Sequence, residues 1–175
     1  METGIEGLTI TLNKVVNDWR GSLYELLPGG SGNQSVSDGI GNLYVSVGKK
    51  KFVCRVGHYH KNNTENFFTL GGATLWIFCD MRKGSKTEGT VFGGIFGDEF
   101  QSKTSLQVMT IDKGTLAKVR VPTGVWHAYW PITEKPSIII AVGSIPYEKE
   151  DNEKVEYSDI DDVVKILKTE GVIDE

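Results

Sequence analysis

Short segments rich in Val, Ile, Phe, Tyr and Thr recur along the chain at intervals of about ten residues. Clusters of Gly, Asn, Asp and Ser separate them, and this alternation is typical of a sandwich or barrel of short strands. We therefore predict an all-β fold. The predicted strands are Leu8–Leu12, Leu23–Leu27, Leu43–Val47, Phe52–Val56, Glu65–Leu70, Ala73–Cys79, Ser105–Ile111, Leu116–Val121, Val125–Tyr129 and Ser137–Val142.

The C-terminal segment follows a different pattern. Ser158-Asp159-Ile160-Asp161 fits a capping box, the apolar residues after it have helical spacing, and Gly171 fits a helix stop. We expect one helix over 158–171, packed on the barrel. The chain has 175 residues and shows neither an internal repeat nor a linker, so a single domain over 1–175 is predicted.

Charge and hydropathy exclude several classes of protein. The formal net charge is -4, so the clustered basic surface of a nucleic-acid-binding protein is not expected. No apolar run approaches the ~20 residues that span a bilayer, and the N-terminal residues lack the features of a secretory signal. We expect no membrane partner and a cytoplasmic location. Cys54 and Cys79 lie in apolar segments and are expected to be reduced thiols.

The three histidines carry the strongest functional signal. His58 and His60 are separated by one residue, so in a strand both point to the same face. Glu65 follows shortly after, and His127 lies three residues beyond Gly124 of a Pro-x-Gly turn. Three imidazoles and one carboxylate suit a divalent transition metal such as Zn, Fe, Mn or Ni. The same cluster also suits metal-free proton transfer, and both interpretations stay open.

The two histidine segments resemble the two cupin motifs, and further segments resemble the dTDP-4-dehydrorhamnose 3,5-epimerase family of cupins, in the same order over most of the chain. These segments are Asp18-Trp19-Arg20-Gly21 followed by Glu25, Arg55-Val56-Gly57-His58-Tyr59, Asp80 to Gly89, Val121 to His127, and Pro146-Tyr147-Glu148 followed by Glu153. The resemblance implies a cupin jelly-roll barrel, or double-stranded β-helix. It also implies a homodimer with exchanged N-terminal strands, which here are residues 1–27.

The family resemblance further implies a dTDP sugar in the barrel mouth and no required cofactor. It places His58 at the general-base position and places Arg20, Glu25 and Arg55 at positions that contact the substrate. A neutral imidazole can remove the acidic proton beside a 4-keto group, and a nearby cation or acid stabilises the enolate. Because Arg55 lies three residues before His58, its role requires a bulge or a contact across the dimer.

The chain departs from the epimerase pattern at several positions. The family's tyrosine acid, in the strand before the Pro-Tyr segment, corresponds to Ala141, or to Ile140 if the alignment slips by one residue. The lysine after the first motif is replaced by Glu65, and the glutamine after His-Tyr is replaced by His60. The sequence does not identify the aspartate that orients the base.

His60 points to a second group of relatives. Cupin 3,4-ketoisomerases of nucleotide sugars carry a similar His-x-His segment, in which the two histidines would shuttle a proton between C3 and C4. In these relatives' mechanism the carbonyl would be polarised by Tyr59, Tyr129 or Tyr147, and we take Tyr147 as the catalytic candidate. We predict that Trp126 and Tyr129 contact the substrate, because these aromatic residues lie in or beside the motifs.

Three functions remain open from the sequence. The first is a nucleotide-sugar epimerase or isomerase, with His58, His60 and Tyr147 as catalytic residues. The second is a metal-dependent cupin enzyme, an isomerase or oxygenase acting on another small substrate. Its ligands would be His58, His60, Glu65 and His127. The third is a non-catalytic protein that binds sugar nucleotides.

Overall fold

The computed structural model describes residues 3–19, 21–27, 39–97, 106–110 and 115–174. Within these ranges twelve strands form two six-stranded sheets, and one α-helix follows them. The predicted all-β jelly roll with a short C-terminal helix is therefore confirmed. The strands are β1 (Thr9–Asp18), β2 (Gly21–Tyr24), β3 (Asn42–Gly48), β4 (Arg55–His60), β5 (Glu65–Gly71), β6 (Thr74–Asp80), β7 (Val91–Gly97), β8 (Gln107–Thr110), β9 (Thr115–Val121), β10 (Val125–Pro131), β11 (Ser137–Gly143) and β12 (Asn152–Lys154).

The two sheets form the walls of the barrel. The first has the strand order β2-β1-β9-β5-β11-β3, and the second has the order β12-β4-β10-β6-β7-β8. Large side chains from both inner faces fill the space between them, among them Phe67, Trp76, Phe78 and Tyr129. Each such aromatic residue stabilises the fold by roughly 2–3 kcal/mol through the apolar surface it removes from water. This packing closes one part of the barrel and leaves the β3–β4 end open.

The outer face of the second sheet is covered by the helix α1 (Asp161–Thr169). Val163 and Leu167 are four residues apart, so they lie on one face of the helix, and both are fully buried. They pack against outward-facing residues of the sheet such as Trp126 and Trp130. The helix therefore fixes the sheet that carries both histidine-bearing strands, β4 and β10.

The predicted start of the helix was wrong. Residues Tyr157–Asp159 form a 3₁₀ turn, and the α-helix begins only at Asp161. Its N-cap is Ile160, which has no side-chain capping hydrogen bond, so the expected capping box at Ser158 does not form. Acidic residues in the first turn still interact favourably with the helix dipole.

A third cluster lies on the outer face of the first sheet. Phe68, Leu116 and Val142 of the sheet are covered there by Leu26 and Leu27, which follow β2. Strand β1 pairs with β9 of the same chain. The exchange of residues 1–27 between two subunits stays a prediction.

Several strand boundaries differ from the prediction. The segment predicted as Phe52–Val56 begins at Arg55 and extends to His60, which places the two histidines inside the strand. Strands β7 and β12 were not predicted. Strand β7 contains Gly93, Gly94 and Gly97, and glycine weakens the strand signal in a sequence. The sequence of residues 28–41, rich in Gly and Ser, predicts a mobile loop, and most of this segment lies outside the described residues.

The remaining expectations concern thiols and membranes. Cys54 and Cys79 are free thiols, as predicted. No helix in the described part of the chain combines the length and the apolar character needed to cross a bilayer.

Candidate active site

A cavity of about 400 Å³ opens between the two sheets. Strand β4 and the segment before β12 form one wall, and β3 with the start of β5 forms the opposite wall. The lining includes Tyr44, Arg55, His58, His60, Glu65 and Asp151.

A β-bulge in β4 directs two functional side chains into this cavity. His127 pairs with His58, but the next residue of β10, Ala128, pairs with Val56, so the register shifts by one residue. Val56 and Gly57 have φ angles of 76° and 85°, in the left-handed region. The extra residue cancels the strand alternation, and Arg55 and His58 both line the cavity. A role for Arg55 at the same site as His58 requires such a bulge.

The three histidines and Glu65 meet at the inner end of the cavity. The Nε2 atoms of His58 and His60 are 3.2 Å apart, and His60 Nε2 is 3.0 Å from Glu65 Oε2. His127 Nε2 is 3.3 Å from the same carboxylate oxygen. One nitrogen or oxygen atom from each of the four residues lies within 4.8 Å of the others. The structure thus brings together the four residues that the sequence nominated as metal ligands.

Asp151 holds His60 from the far side. The Nδ1 atom of His60 is 2.9 Å from Asp151 Oδ2, and the carboxylate is buried. Asp151 also accepts a hydrogen bond from the backbone N–H of Asn62 at 2.7 Å. Pairing of β12 with β4 places Asn152 opposite His60 and so brings the preceding Asp151 beside the ring.

Asp151 was not among the predicted site residues. It lies in the mostly acidic segment 148–156, and a run of charged residues of this kind is typical of an exposed connection. Only the short strand that follows it distinguishes Asp151 from its exposed neighbours Glu148 and Glu150. A three-residue strand has no periodicity that a sequence pattern can reveal.

Hydrogen bonds on the outer side of the cluster fix the orientation of two rings. His127 Nδ1 donates to the backbone oxygen of Val125 at 3.1 Å, and its Nε2 atom is buried with no hydrogen bond to any residue that the structure describes. His60 is oriented in the same way by Asp151. Both rings therefore present Nε2 to the centre of the cluster, as metal-ligating histidines usually do.

Without a metal, the surroundings shift the pKa values of the two histidines of β4 in opposite directions. Burial disfavours a charge on His60, but its contacts with Glu65 and Asp151 outweigh burial and raise the pKa of His60. Burial lowers the pKa of His58 to about 3, and the neighbouring His127 and His60 lower it further. Burial also disfavours a charge on Glu65, but His127 and His60 hold the pKa of that carboxyl well below its usual range. A neutral imidazole at His58 is thus adjacent to a charged pair.

The opposite wall contributes hydroxyl groups. Tyr44 of β3 donates a hydrogen bond from its hydroxyl to Glu65 Oε1 at 3.0 Å. Burial and the Glu65 carboxylate raise the pKa of Tyr44, so its side chain stays a neutral phenol. Ser46, two residues along, is 2.8 Å from the hydroxyl of Tyr129.

Comparison with known proteins finds relatives at the level of structure only. No protein-family model matches the chain, and no curated protein matches it. A dTDP sugar isomerase from Desulfovibrio desulfuricans G20 superposes with a TM-score of 0.70 at 17% identity, covering 89% of this chain and 88% of the other.

Two further structures contain sugar nucleotides. The 3'-monoepimerase ChmJ from Streptomyces bikiniensis, in complex with dTDP-quinovose, has a TM-score of 0.72 at 21% identity over 91% of this chain and 74% of its own. A dTDP-6-deoxy-D-glucose-3,5-epimerase from Legionella pneumophila, in complex with dTDP-4-keto-L-rhamnose, has a TM-score of 0.68 at 21% identity over 90% and 77% of the two chains. The chain has the cupin-like fold of these epimerases.

In this cupin barrel two predicted substrate contacts do not reach the cavity. Trp126 is fully buried on the outer side of β10, where its indole nitrogen donates to the Val155 backbone oxygen at 3.0 Å. Because strand residues alternate, the inward position of His127 forces Trp126 outward. Tyr129 points inward but is fully buried, with its hydroxyl beside Ser46. Neither residue is among those that line the cavity in the described part of the chain.

The other predicted residues lie in different places. Tyr147 lines the cavity, and its side chain is 72% exposed. Glu25 is exposed in the segment that follows β2 and is not part of the cavity lining. Arg20 lies outside the described residues.

Proposed function

We propose that this protein is an epimerase or isomerase that removes the proton beside the keto group of a dTDP-4-keto-6-deoxy sugar. The observation that carries the proposal is the His58 imidazole on the cavity wall, 3.2 Å from His60, whose ring is held between Asp151 and Glu65. The fold it shares with the dTDP-sugar epimerases, two of them in complex with sugar nucleotides, supports the substrate class.

The surrounding side chains supply what an enolate needs. A keto group acidifies the neighbouring C–H bond, and a neutral imidazole can accept that proton. The guanidinium of Arg55 enters the same cavity and can stabilise the negative charge that develops on the keto oxygen. Tyr147, at the mouth, provides a hydroxyl for the same oxygen.

Hydrogen exchange tests the proposal directly. The purified protein is incubated in D₂O with dTDP-4-keto-6-deoxyglucose, and the sugar is followed by mass spectrometry and proton NMR. We expect deuterium at a carbon beside the keto group, at a rate that depends on the protein. Failure of the substrate to exchange, with the protein folded, would contradict the proposal. If the nucleotide still bound, that result would favour a non-catalytic sugar-nucleotide-binding protein.

A metal-dependent enzyme is a second candidate, and a different observation supports it. His60 and His127 each direct Nε2 toward Glu65 while Nδ1 is held by an oxygen acceptor, and His127 Nε2 has no hydrogen-bond partner. The three histidines and Glu65 fit a divalent transition metal in number and type of donor. Such an ion would act as a Lewis acid on a substrate carbonyl.

Metal analysis separates the two candidates. Protein purified without chelators is analysed by inductively coupled plasma mass spectrometry. Near-stoichiometric transition metal that is lost in His127→Ala and retained in the control Cys54→Ser would support the metal-dependent enzyme. Metal-free protein that catalyses exchange at full rate would support the first candidate.

We also propose that the protein is a homodimer in the cytoplasm. Exposed apolar side chains on β3 support the dimer, because Leu43, Val45 and Val47 project from the outer face of the first sheet and are at least 40% exposed. A row of apolar residues on one sheet face is typical of a surface that another protein covers.

A further inference from the structure

An inversion needs two groups on opposite sides of the substrate. If one group removes a proton and the same side returns it, the carbon keeps its configuration. An epimerase therefore requires a proton donor that faces the base across the bound sugar. The inference below rests on the proposed sugar chemistry and concerns the identity of this donor.

The two walls of the cavity belong to different sheets. His58 lies on β4 of the second sheet, and Tyr44 lies on β3 of the first sheet. Both residues line the same cavity of about 400 Å³, one from each of the two sheets. Tyr44 is 37% exposed.

Neighbouring residues position the Tyr44 hydroxyl. It donates to Glu65 Oε1 at 3.0 Å, which ties its outer end to the histidine cluster. Ala141 of β11 pairs with Tyr44 of β3. Because the alanine side chain is small, the phenol of Tyr44 is the larger of the two side chains at this position of the sheet. Ser46, the next inward-facing residue of β3, has its hydroxyl within 2.8 Å of Tyr129.

We infer that Tyr44 is the proton donor on the face of the substrate opposite His58, so that the reaction inverts the configuration of the carbon. His58 accepts the proton from the carbon beside the keto group, and the C–H electron pair enters the enolate. The enolate carbon then takes the hydroxyl proton of Tyr44, and the O–H electron pair remains on the phenolate. Water at the cavity mouth returns a proton to Tyr44 and removes one from His58, so no net proton is gained.

In the competing mechanism, both residues that transfer the proton lie on one wall of the cavity. His58 and His60 are 3.2 Å apart on β4, and such a pair can move a proton between neighbouring carbons on one face of the sugar. That route relocates the keto group and does not need Tyr44. Tyr147, at the mouth, is the other phenol in the described lining. The test must therefore separate exchange, inversion and keto migration.

The decisive variant is Tyr44→Phe, which removes the hydroxyl and keeps the ring. It is incubated in D₂O with dTDP-4-keto-6-deoxyglucose, and NMR follows both deuterium incorporation and the configuration of the labelled carbon. We expect exchange within a few-fold of the wild-type rate and a loss of inverted product of at least ~100-fold. Tyr157→Phe, in which the altered ring packs on Trp130 outside the cavity, is the matched control. Thermal melting checks the fold of both variants.

Each other result has a definite meaning. If the wild-type protein does not catalyse deuterium exchange, the proposed function is wrong and Tyr44 has no proton-transfer reaction in which to act. Wild-type protein that exchanges but moves the keto group, or a Tyr44→Phe variant that inverts normally, overturns the role of Tyr44 and keeps the proposed function. If Tyr147→Phe is the variant that separates exchange from inversion, the donor is Tyr147 and the inference is wrong.

Discussion

At the scale of single residues, the two histidines of β4 show how position sets chemistry. They lie on one strand, two residues apart, yet only His60 has a carboxylate on either side. Protonation of His58 is disfavoured by burial and by its neighbours His127 and His60. The pair therefore places a neutral imidazole beside a ring that two carboxylates orient.

We expect His58→Gln to reduce deuterium exchange at least ~100-fold, because a general base contributes roughly 10²–10⁴ to the rate of proton transfer. Glutamine keeps a polar side chain of similar length but cannot accept the proton. The rate is measured by NMR, and nucleotide binding by calorimetry. Unchanged exchange in this variant would show that another residue is the base.

The second residue-scale prediction concerns Asp151. In Asp151→Asn the partner of His60 Nδ1 loses its charge, so His60 loses part of the stabilisation of its imidazolium. We expect exchange to fall by about 10–100-fold with little change in KM, the range found for partners of site histidines. Glu150→Gln, at an exposed neighbouring position, is the control. Equal losses in the two variants would indicate a general effect of charge.

The spacing of the histidines was sufficient to predict that His58, His60, Glu65 and His127 meet, because strand alternation and two short motifs fix their direction. The sequence did not predict how deeply each of the inward-facing side chains is buried. Tyr129 and His127 face the same side of β10, but Tyr129 is covered by Ser46 of the opposite sheet. Asp151 depends on pairing between segments about 90 residues apart, and a local pattern carries no information about such pairing.

At the scale of elements, the bulge in β4 places Arg55 and His58 in one cavity. Gly57 has a φ of 85° there, and its nearest neighbour in space is the Val155 carbonyl oxygen, 3.8 Å from where a Cβ would lie. A side chain at this position therefore meets no steric barrier and costs only backbone strain of about 1–2 kcal/mol.

We predict that Gly57→Ala lowers the free energy of unfolding by about 1–2 kcal/mol and also lowers the exchange rate, because relaxation of the strain shifts His58. Gly84→Ala is the matched control, since Gly84 has a φ of 76°, free space around it and a position outside the cavity. It should lose similar stability and keep its activity. Urea unfolding measures the stability of the two variants, and the exchange assay measures their activity. Full activity in Gly57→Ala would mean that the bulge tolerates rearrangement.

The turn after β6 is the second element with a defined prediction. Burial disfavours ionisation of Asp80, but hydrogen bonds from Arg82, Thr87 and Ser85 outweigh it and hold the pKa of Asp80 well below its usual range. A lowered carboxyl pKa stabilises the fold above the unfolded-state value of about 3.9, and this contribution is lost as the pH falls below that value.

We expect Asp80→Asn to cost about 3 kcal/mol at pH 7, since it removes one partner of a buried ion pair. At pH 3 the difference between wild type and variant should shrink by about 1 kcal/mol. Urea unfolding at both pH values measures it, with the exposed Asp159→Asn as a control. A difference that grows on acidification would contradict the assignment.

At the scale of the whole molecule, the two sheets have differently protected outer faces. Helix α1 covers the second sheet, whereas the first sheet is covered in part by Leu26 and Leu27 and exposes apolar residues of β3. We predict that Val45→Glu converts a dimer to a monomer in sedimentation velocity. Lys86→Glu, on the exposed turn after β6, is the charge-changing control. A wild-type monomer at all concentrations would contradict the proposed dimer.

The placement of Asp151 also has a consequence for how the protein acquires its chemistry during synthesis. His60 is made early, but the carboxylate that orients it follows 91 residues later. A nascent chain therefore carries His60 without this second carboxylate until Asp151 has left the ribosome, and the reactive centre is completed only at that stage.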